Sequence, residues 1–259
     1  MKKITFIPNR GGRFGHQFTE WLTAYVYCKA NKYEFYHHPF IGNSKNLDYF
    51  LNLSFNEKLF ENYKGKVLTI NDMNFEEYLS SDNEEDLYVY DFFNSNKWNL
   101  NISNDMLIDD KIRDILRNKY FNKHQKNNNN VISVHIRRDD VTENSKIWSS
   151  RYMGINYFVN VLNELYDNYP TYEVKIFSSN IDHNFYDIKN IKYKNLSFHI
   201  NESIESTIHE MINSKILITS NSGISFIASI ISDKNNIKIC SNNFWHKWPN
   251  ESVLKNIKI

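Results

Sequence analysis

The run "VISVHIRRDDV" (residues 131–141) decides how the chain is read. Five residues of strong strand character, Val131, Ile132, Ser133, Val134 and Ile136, flank a histidine and lead into two adjacent arginines and two adjacent aspartates. Four formal charges therefore stand at the end of what reads as a buried strand. In an extended chain, successive side chains point to opposite faces. Val131, Ser133, His135 and Arg137 share one face; Ile132, Val134, Ile136 and Arg138 share the other. The two arginines need not have one task. One can face a ligand while the other anchors the loop, and Asp139 or Asp140 can pair with the inward arginine and set its rotamer. A guanidinium is a permanent, bidentate donor suited to a diphosphate. The same residues also suit a plain salt-bridge cluster, and their adjacency does not separate the two readings.

On both sides of this strand, strand-like and helix-like runs alternate. Before it come "ITFIP" (4–8), the helical "HQFTEWLTAYVYCKANK", "YEFYHHP" (33–39) and "LYVYDFF" (87–93). "IDDKIRDILRNKYF" (108–121) places Ile108, Ile112, Ile115 and Leu116 at helical spacing, with "DD" at 109–110 as negative charge at a helix start. After it come the helix "GINYFVNVLNELYDNY" and the strand "EVKIFSS" (173–179). A short strand "LSFHI" leads to the helix "SIESTIHEMINS", with Ser203 and Ser206 as caps. "KILITS", "SGISFIASIIS" and "IKIC" then read as strand, helix and strand. Such alternation predicts parallel βαβ units, hence an α/β fold. Residues 42–86 read as polar, aromatic-rich and irregular. "KHQKNNNN" (123–130) buries nothing and reads as a surface linker. It divides the chain into domains at 1–126 and 131–259.

Bulk properties narrow the function classes. With 259 residues, 41% of them hydrophobic, the chain is long enough to bury one large core or two small ones. A formal net charge of +1 offers no basic surface for nucleic acid or anionic lipid. The two cysteines, Cys28 and Cys240, make neither a metal pattern nor a disulfide framework. The N-terminus "MKKITFIPNRGG" is no signal peptide, and the longest apolar run, "ISFIASIIS" (224–232), is too short for a transmembrane span. A soluble, cytoplasmic protein is expected. No metal site is expected: "HEMIN" (209–213) has Asn213 where a second histidine would complete a zinc motif. "SDNEED" (81–86) reads as a solvated loop, and His37 and His38 as the end of a strand beside Pro39, loop residues rather than ligands. "NFWHKWPN" (243–250) suits either a sugar-facing aromatic surface or a packing plug.

In parallel α/β sheets, ligands sit at the carboxyl ends of strands. Besides the opening stretch, two strand ends carry suitable chemistry. "NRGGRFGHQ" (9–17) has Gly11, Gly12 and Gly15 for a sharp turn before a helix starting near His16, with Arg13 adding charge. Its glycine spacing is not that of a dinucleotide fingerprint. In "ITSNSGISFIASI" (218–230), the N–H groups of Ser222, Gly223 and Ile224 suit a phosphate at the helix start, and Ser220 or Ser222 suits a cap.

These stretches, in this order, resemble the superfamily of α1,2-, α1,6- and protein O-fucosyltransferases. "GGRFGHQ" resembles its G-x-x-G-N-Q motif and "HIRRDD" its H-x-R-R-x-D motif; "IFSS" and "TSNSGISF" resemble two later ones. The resemblance implies a GT-B-like fold, two Rossmann-like domains with mainly parallel sheets facing a central cleft. The first would be on the acceptor side and the second would bind the nucleotide sugar. It implies an inverting glycosyltransferase, transferring L-fucose from GDP-fucose to a hydroxyl of a glycan acceptor, with no cofactor or metal required. Arg137 would bind the β-phosphate, and His135 would help hold the nucleotide. Ser178 and Asn180 would lie beside it, Ser222 and Gly223 on phosphate. His16 would face the sugar and the reacting centre, and Arg13 and Gly15 would line the same cleft. Asp139, Asp140 and Glu143 are the base candidates, with Glu143 preferred because the aspartates suit the arginines. The chain departs from the family at His16, where Asn is usual, and at Asn180, where an Asp helps read guanine. It also lacks the tryptophans that bacterial α1,2-enzymes carry near "SNSGISF". Two alternatives stand beside this reading. One is transfer of another deoxyhexose, such as rhamnose, from a GDP- or UDP-linked donor. The other is a non-catalytic nucleotide-sugar- or glycan-binding module.

Overall fold

The structure is a computed structural model that describes residues 1–8, 12–70, 77, 86–91, 102–127, 129–138, 140–144 and 149–240. The chain divides into two compact units, Met1–His124 and Gln125–Ile259. Each holds a five-stranded parallel sheet among its described residues. The expected α/β class with two Rossmann-like sheets is what is found.

The first unit runs β1 (Lys3–Ile7), α1 (Phe14–Asn31), β2 (Glu34–His37), α2 (Lys45–Leu51), β3 (Lys58–Leu59), β4 (Val67–Ile70), β5 (Leu87–Asp91), α3 (Asn104–Leu107) and α4 (Asp110–Phe121). Its strand order is β3-β2-β1-β5-β4. Aromatic side chains of α1 make much of its core. Trp21 stacks on Tyr25 with centroids 4.8 Å apart, and both meet the edge of Phe35 on β2. Asp109 caps α4, its carboxylate accepting from the Lys111 N–H at 2.9 Å, as the paired aspartates predict.

The second unit runs β6 (Asn129–His135), α5 (Ile155–Tyr166), β7 (Glu173–Ser178), β8 (Leu196–Ile200), α6 (Ile204–Asn213), β9 (Ser214–Ile218), α7 (Gly223–Ile231) and β10 (Ile237–Ile239). Its order, β10-β9-β6-β7-β8, puts β6 in the middle. The chain winds outward from β6 through β7 to β8, then returns to the other side through β9. The winding reverses between β6 and β9, which is where open α/β sheets bind ligands. Ile132, Val134 and Ile136 are fully buried in one cluster with Ile155, Phe158 and Leu162 of α5. Each such side chain contributes about 1.5–3 kcal/mol when fully buried.

Several boundaries differ from the sequence expectation. Residues 42–86 contain α2, β3 and β4 rather than irregular chain. These strands have four residues or fewer, too short for a two-residue period to register, and β4 is an edge strand with one buried residue. β6 begins inside the asparagine run, because Asn129 pairs through its backbone with Ser214. α1 begins at Phe14, two residues before His16. Ser203 caps α6 by accepting from the Ser206 N–H at 3.1 Å, so Ser206 lies inside the helix and is no cap. Within the described residues, no helix is long and apolar enough to cross a membrane.

Candidate active site

The two faces of β6 lead its two arginines apart. The Ile136 N–H still pairs with the Phe177 carbonyl at 2.9 Å, so the extended geometry carries past the last strand residue. Arg137 continues the face of Ser133 and His135. Its Nε and Nη2 donate to the two oxygens of Asp140 at 3.2 and 2.7 Å, a bidentate fork. Its Nη1 donates to the Asn221 carbonyl at 3.4 Å, just before α7. Arg138 continues the apolar face and is buried. Its Nε lies 2.5 Å from Asp182 Oδ2, and its Nη1 and Nη2 donate to the carbonyls of Arg137 and Met153 at 2.9 and 3.1 Å. Tyr152 covers its guanidinium at 4.5 Å and donates to Asp182 at 3.1 Å. Arg138 is thus the anchor. Arg137 remains half-buried and turned to the switch point between β6 and β9.

The start of α7 faces the same place. Ser222 is its N-cap, Oγ accepting from the Ile224 N–H at 3.3 Å. Its N–H in turn donates to the Ser220 carbonyl at 2.7 Å, tightening the turn. Behind the loop, His135 Nδ1 lies 2.7 Å from Ser225 Oγ and 3.2 Å from Ser220 Oγ. Burial, and secondly the charge of Arg137, push the His135 pKa down to about 4. A neutral imidazole therefore supports the loop beneath the arginine and adds no repulsive charge.

The structure places Arg137, with Asp140, and His135 against residues 220–225, the turn in which Ser222 and Gly223 open α7. Ser178 and Asn180 end the adjacent strand. Ser178 Oγ donates to the Asn180 carbonyl at 2.5 Å, and Asn180 Oδ1 accepts from the Ile181 N–H at 2.8 Å. Ser179 Oγ ties this turn to the Arg138 carbonyl at 3.0 Å. Glu143 is exposed on a turn. Burial first raises the Tyr152 pKa; the charge of Arg138 opposes it, and Asp182 adds to it. Asp139 lies outside the described residues, as do Asn9–Gly11, most of "SDNEED" and the run 243–250.

In the first unit, Arg13 and His16 are exposed and Gly15 half-buried around the first turn of α1. His16 Nε2 lies 3.0 Å from Glu20 Oε1, whose side chain is buried at 1% exposure. Gln17, buried at the same turn, donates to the Gly12 and Ile41 carbonyls at 3.0 and 3.4 Å and accepts from the Ile41 N–H at 3.0 Å. It fastens the glycine turn to the loop after β2. His37 is buried rather than a loop residue: its Nδ1 accepts from Trp21 Nε1 at 3.0 Å, and its Nε2 lies 3.1 Å from Asp48. Among the described residues, no group of three His, Cys, Asp or Glu side chains is placed to hold a metal. His209 of "HEMIN" contacts Asn213 along α6.

Sequence reading missed Gln17, Tyr152 and Asp182. Gln17 stands inside the quoted glycine motif. Asp182 and Tyr152 carried none, because a buried partner distant in sequence leaves no local pattern.

A family model for glycosyl transferase family 11 matches residues 41–256. No curated protein matches. Among solved structures, POFUT1 in complex with GDP and POFUT1 in complex with GDP-fucose each align over 92% of this chain and 98% of their own. Both are 13% identical with a TM-score of 0.55, so the likeness carries the fold. Fucosyltransferase NodZ from Bradyrhizobium aligns over 95% of this chain and 97% of its own, at 12% identity and a TM-score of 0.45. Fold and family match together define a glycosyltransferase of the fucosyltransferase superfamily with a GT-B-like α/β construction. The chain belongs to glycosyl transferase family 11. The matched span includes Arg137 and α7 and begins after the glycine motif of residues 9–17.

Proposed function

We propose that the chain transfers L-fucose from GDP-fucose to a glycan hydroxyl with inversion at C1. The observation that carries this reading is Arg137, a guanidinium fixed by the Asp140 fork and reaching Asn221 at the switch point. The second unit takes the donor and the first the acceptor. In the reaction an acceptor oxygen attacks C1 from the face opposite the diphosphate. The bond from C1 to the β-phosphate oxygen breaks, and its electron pair leaves with GDP. Arg137 and the N–H groups at Ser222, Gly223 and Ile224 meet the charge that builds on the phosphate. They are already oriented, so little reorganisation is needed at the transition state. His135, neutral, holds the loop that presents those N–H groups. Asp140 is committed to Arg137, which leaves Glu143 as the base that takes the acceptor proton. His16, Arg13 and Gly15 belong to the acceptor and sugar side, and the diphosphate needs no metal beside a fixed arginine.

One observation favours another donor. Asn180 stands where a guanine-reading Asp would, with its side-chain oxygen already accepting from the Ile181 N–H. A UDP-linked donor, or another deoxyhexose, would suit that change. Thermal shifts with GDP, UDP and free glycans separate the cases, followed by a product assay with GDP-fucose. GDP should raise the melting temperature and GDP-fucose should be turned over. Stabilisation by UDP alone would replace the donor. Stabilisation by glycan alone, without turnover, would replace the enzyme reading. Arg137→Ala should lower turnover about 100- to 1000-fold with the fold intact; near-normal turnover would remove Arg137 from the mechanism.

A further inference from the structure

The first unit holds a buried carboxylate at the head of α1. β1 lies in the middle of its sheet, between β2 and β5. α1 takes the chain from β1 to β2, while β5, the neighbour on the other side, comes from a later stretch. The start of α1 thus follows the carboxyl end of a central parallel strand, where α/β sheets take ligands. It is firmly held. The Arg13 carbonyl accepts from the His16 and Gln17 N–H groups at 2.9 and 3.1 Å, and Thr19 Oγ donates to the Gly15 carbonyl at 2.8 Å. Gln17 joins this turn to Ile41. Next to Ile41, the Phe40 N–H donates at 2.8 Å to Asp48, which also lies 3.1 Å from His37 Nε2. On this support, Glu20 is 1% exposed, and its Oε1 lies 3.0 Å from Nε2 of His16, whose side chain is 46% exposed. A buried carboxylate needs donors. For that purpose alone a permanently charged arginine would serve better. A histidine differs in its second ring nitrogen, whose role is set by the bond the first one makes. With the Nε2 proton given to Glu20, Nδ1 keeps its lone pair on a ring that is open to solvent.

We propose that Glu20 is a positioning residue for His16: it turns Nε2 inward and leaves Nδ1 as a hydrogen-bond acceptor for a hydroxyl of the acceptor glycan. This rests on the reading above that the first unit takes the acceptor. An amide side chain at position 16 could turn either an oxygen or an NH2 outward. A ring held by Glu20 presents an acceptor alone, so the group it selects is one that donates a hydrogen bond. The pair orients the glycan and moves no proton; that role stays with Glu143.

Two measurements on the full chain test it. Nitrogen-15 spectra of the histidine rings in alkaline buffer, with His16→Ala to identify the signal, should show the His16 proton on Nε2. In Glu20→Gln both tautomers should appear, because an amide offers the ring either its oxygen or its NH2. A wild-type His16 proton on Nδ1 overturns the proposal. Kinetics then compare wild type, Glu20→Gln, His16→Ala and the double variant, with GDP-fucose as donor and the disaccharides lactose, N-acetyllactosamine and chitobiose as acceptor probes. On a probe that wild type turns over, each single variant should raise the KM for the glycan about 3- to 10-fold, the loss of one net hydrogen bond. That rise should exceed any fall in kcat. Because Glu20 acts through His16, the double variant should match His16→Ala. Calorimetric affinity for GDP should stay at the wild-type value in Glu20→Gln, which separates loss of acceptor contact from a general loss of fold. An unchanged glycan KM in His16→Ala, or additive effects in the double variant, overturns the proposal. If wild type binds GDP and turns over none of the probes, the acceptor reading of the first unit falls and takes the proposal with it.

Discussion

Two adjacent arginines of equal charge do different work because one residue of strand separates their faces. Arg138 is 3% exposed and has Asp182, Tyr152 and two carbonyls around it. Replacing it by Ala leaves a mostly buried carboxylate without its cation. Such losses cost about 3–5 kcal/mol. Urea unfolding of Arg138→Ala should show a fall of that order, and a change under about 1 kcal/mol would mean the anchor role is wrong. His135 makes a second residue-level prediction. Its folded pKa is about 4, lowered by burial and then by Arg137. The unfolded value is about 6.5. Between these values the unfolded chain binds the proton and the folded chain refuses it. Stability is therefore full above about pH 6.5 and falls as the pH drops toward 4, by up to about 3 kcal/mol from this one group. Unfolding midpoints at pH 7.5 and 4.5 check it. His135→Asn should lose less stability than wild type across that interval, and an equal loss would contradict it.

At the scale of single elements, β6 and α7 set the site together. β6 offers alternate residues to α5 and to the α7 side, so Ile132, Val134 and Ile136 build core while His135 and Arg137 build the site. That division was readable from the two-residue period alone. The Ser222 cap was readable too, since a serine before a glycine and an apolar run is a helix-start pattern. Ser222→Ala should lower stability by about 1 kcal/mol, measured by thermal or urea unfolding; no loss would mean that the Ile224 N–H finds another acceptor. The elements of residues 45–70 were not readable. β3 and β4 are held by parallel pairing with β2 and β5, which are separate in sequence, and not by a pattern of their own. The grip of Gln17 was equally hidden, because it acts on the carbonyl and N–H of Ile41, groups every residue carries.

At the scale of the whole chain, the two units carry separate parallel sheets. If the donor belongs to the second unit, its nucleotide should leave a local imprint. Hydrogen exchange with GDP present should slow amides in residues 133–138 and 220–226 while leaving those of α1 within experimental error. Protection confined to α1 would move the donor to the first unit. The expected split into two α/β halves was legible because strands and helices alternate on both sides of the asparagine run. The clamp within the second unit has a further consequence. Arg138 holds the loop partly through the carbonyls of residues 137 and 153, which do not depend on side-chain identity. Exposed Thr142, Ser149 and Ser150 can change without loosening either pinned end, whereas buried Val141 and the proposed base Glu143 cannot. A library over those exposed positions would leave Glu143, Arg138, Tyr152 and Asp182 untouched.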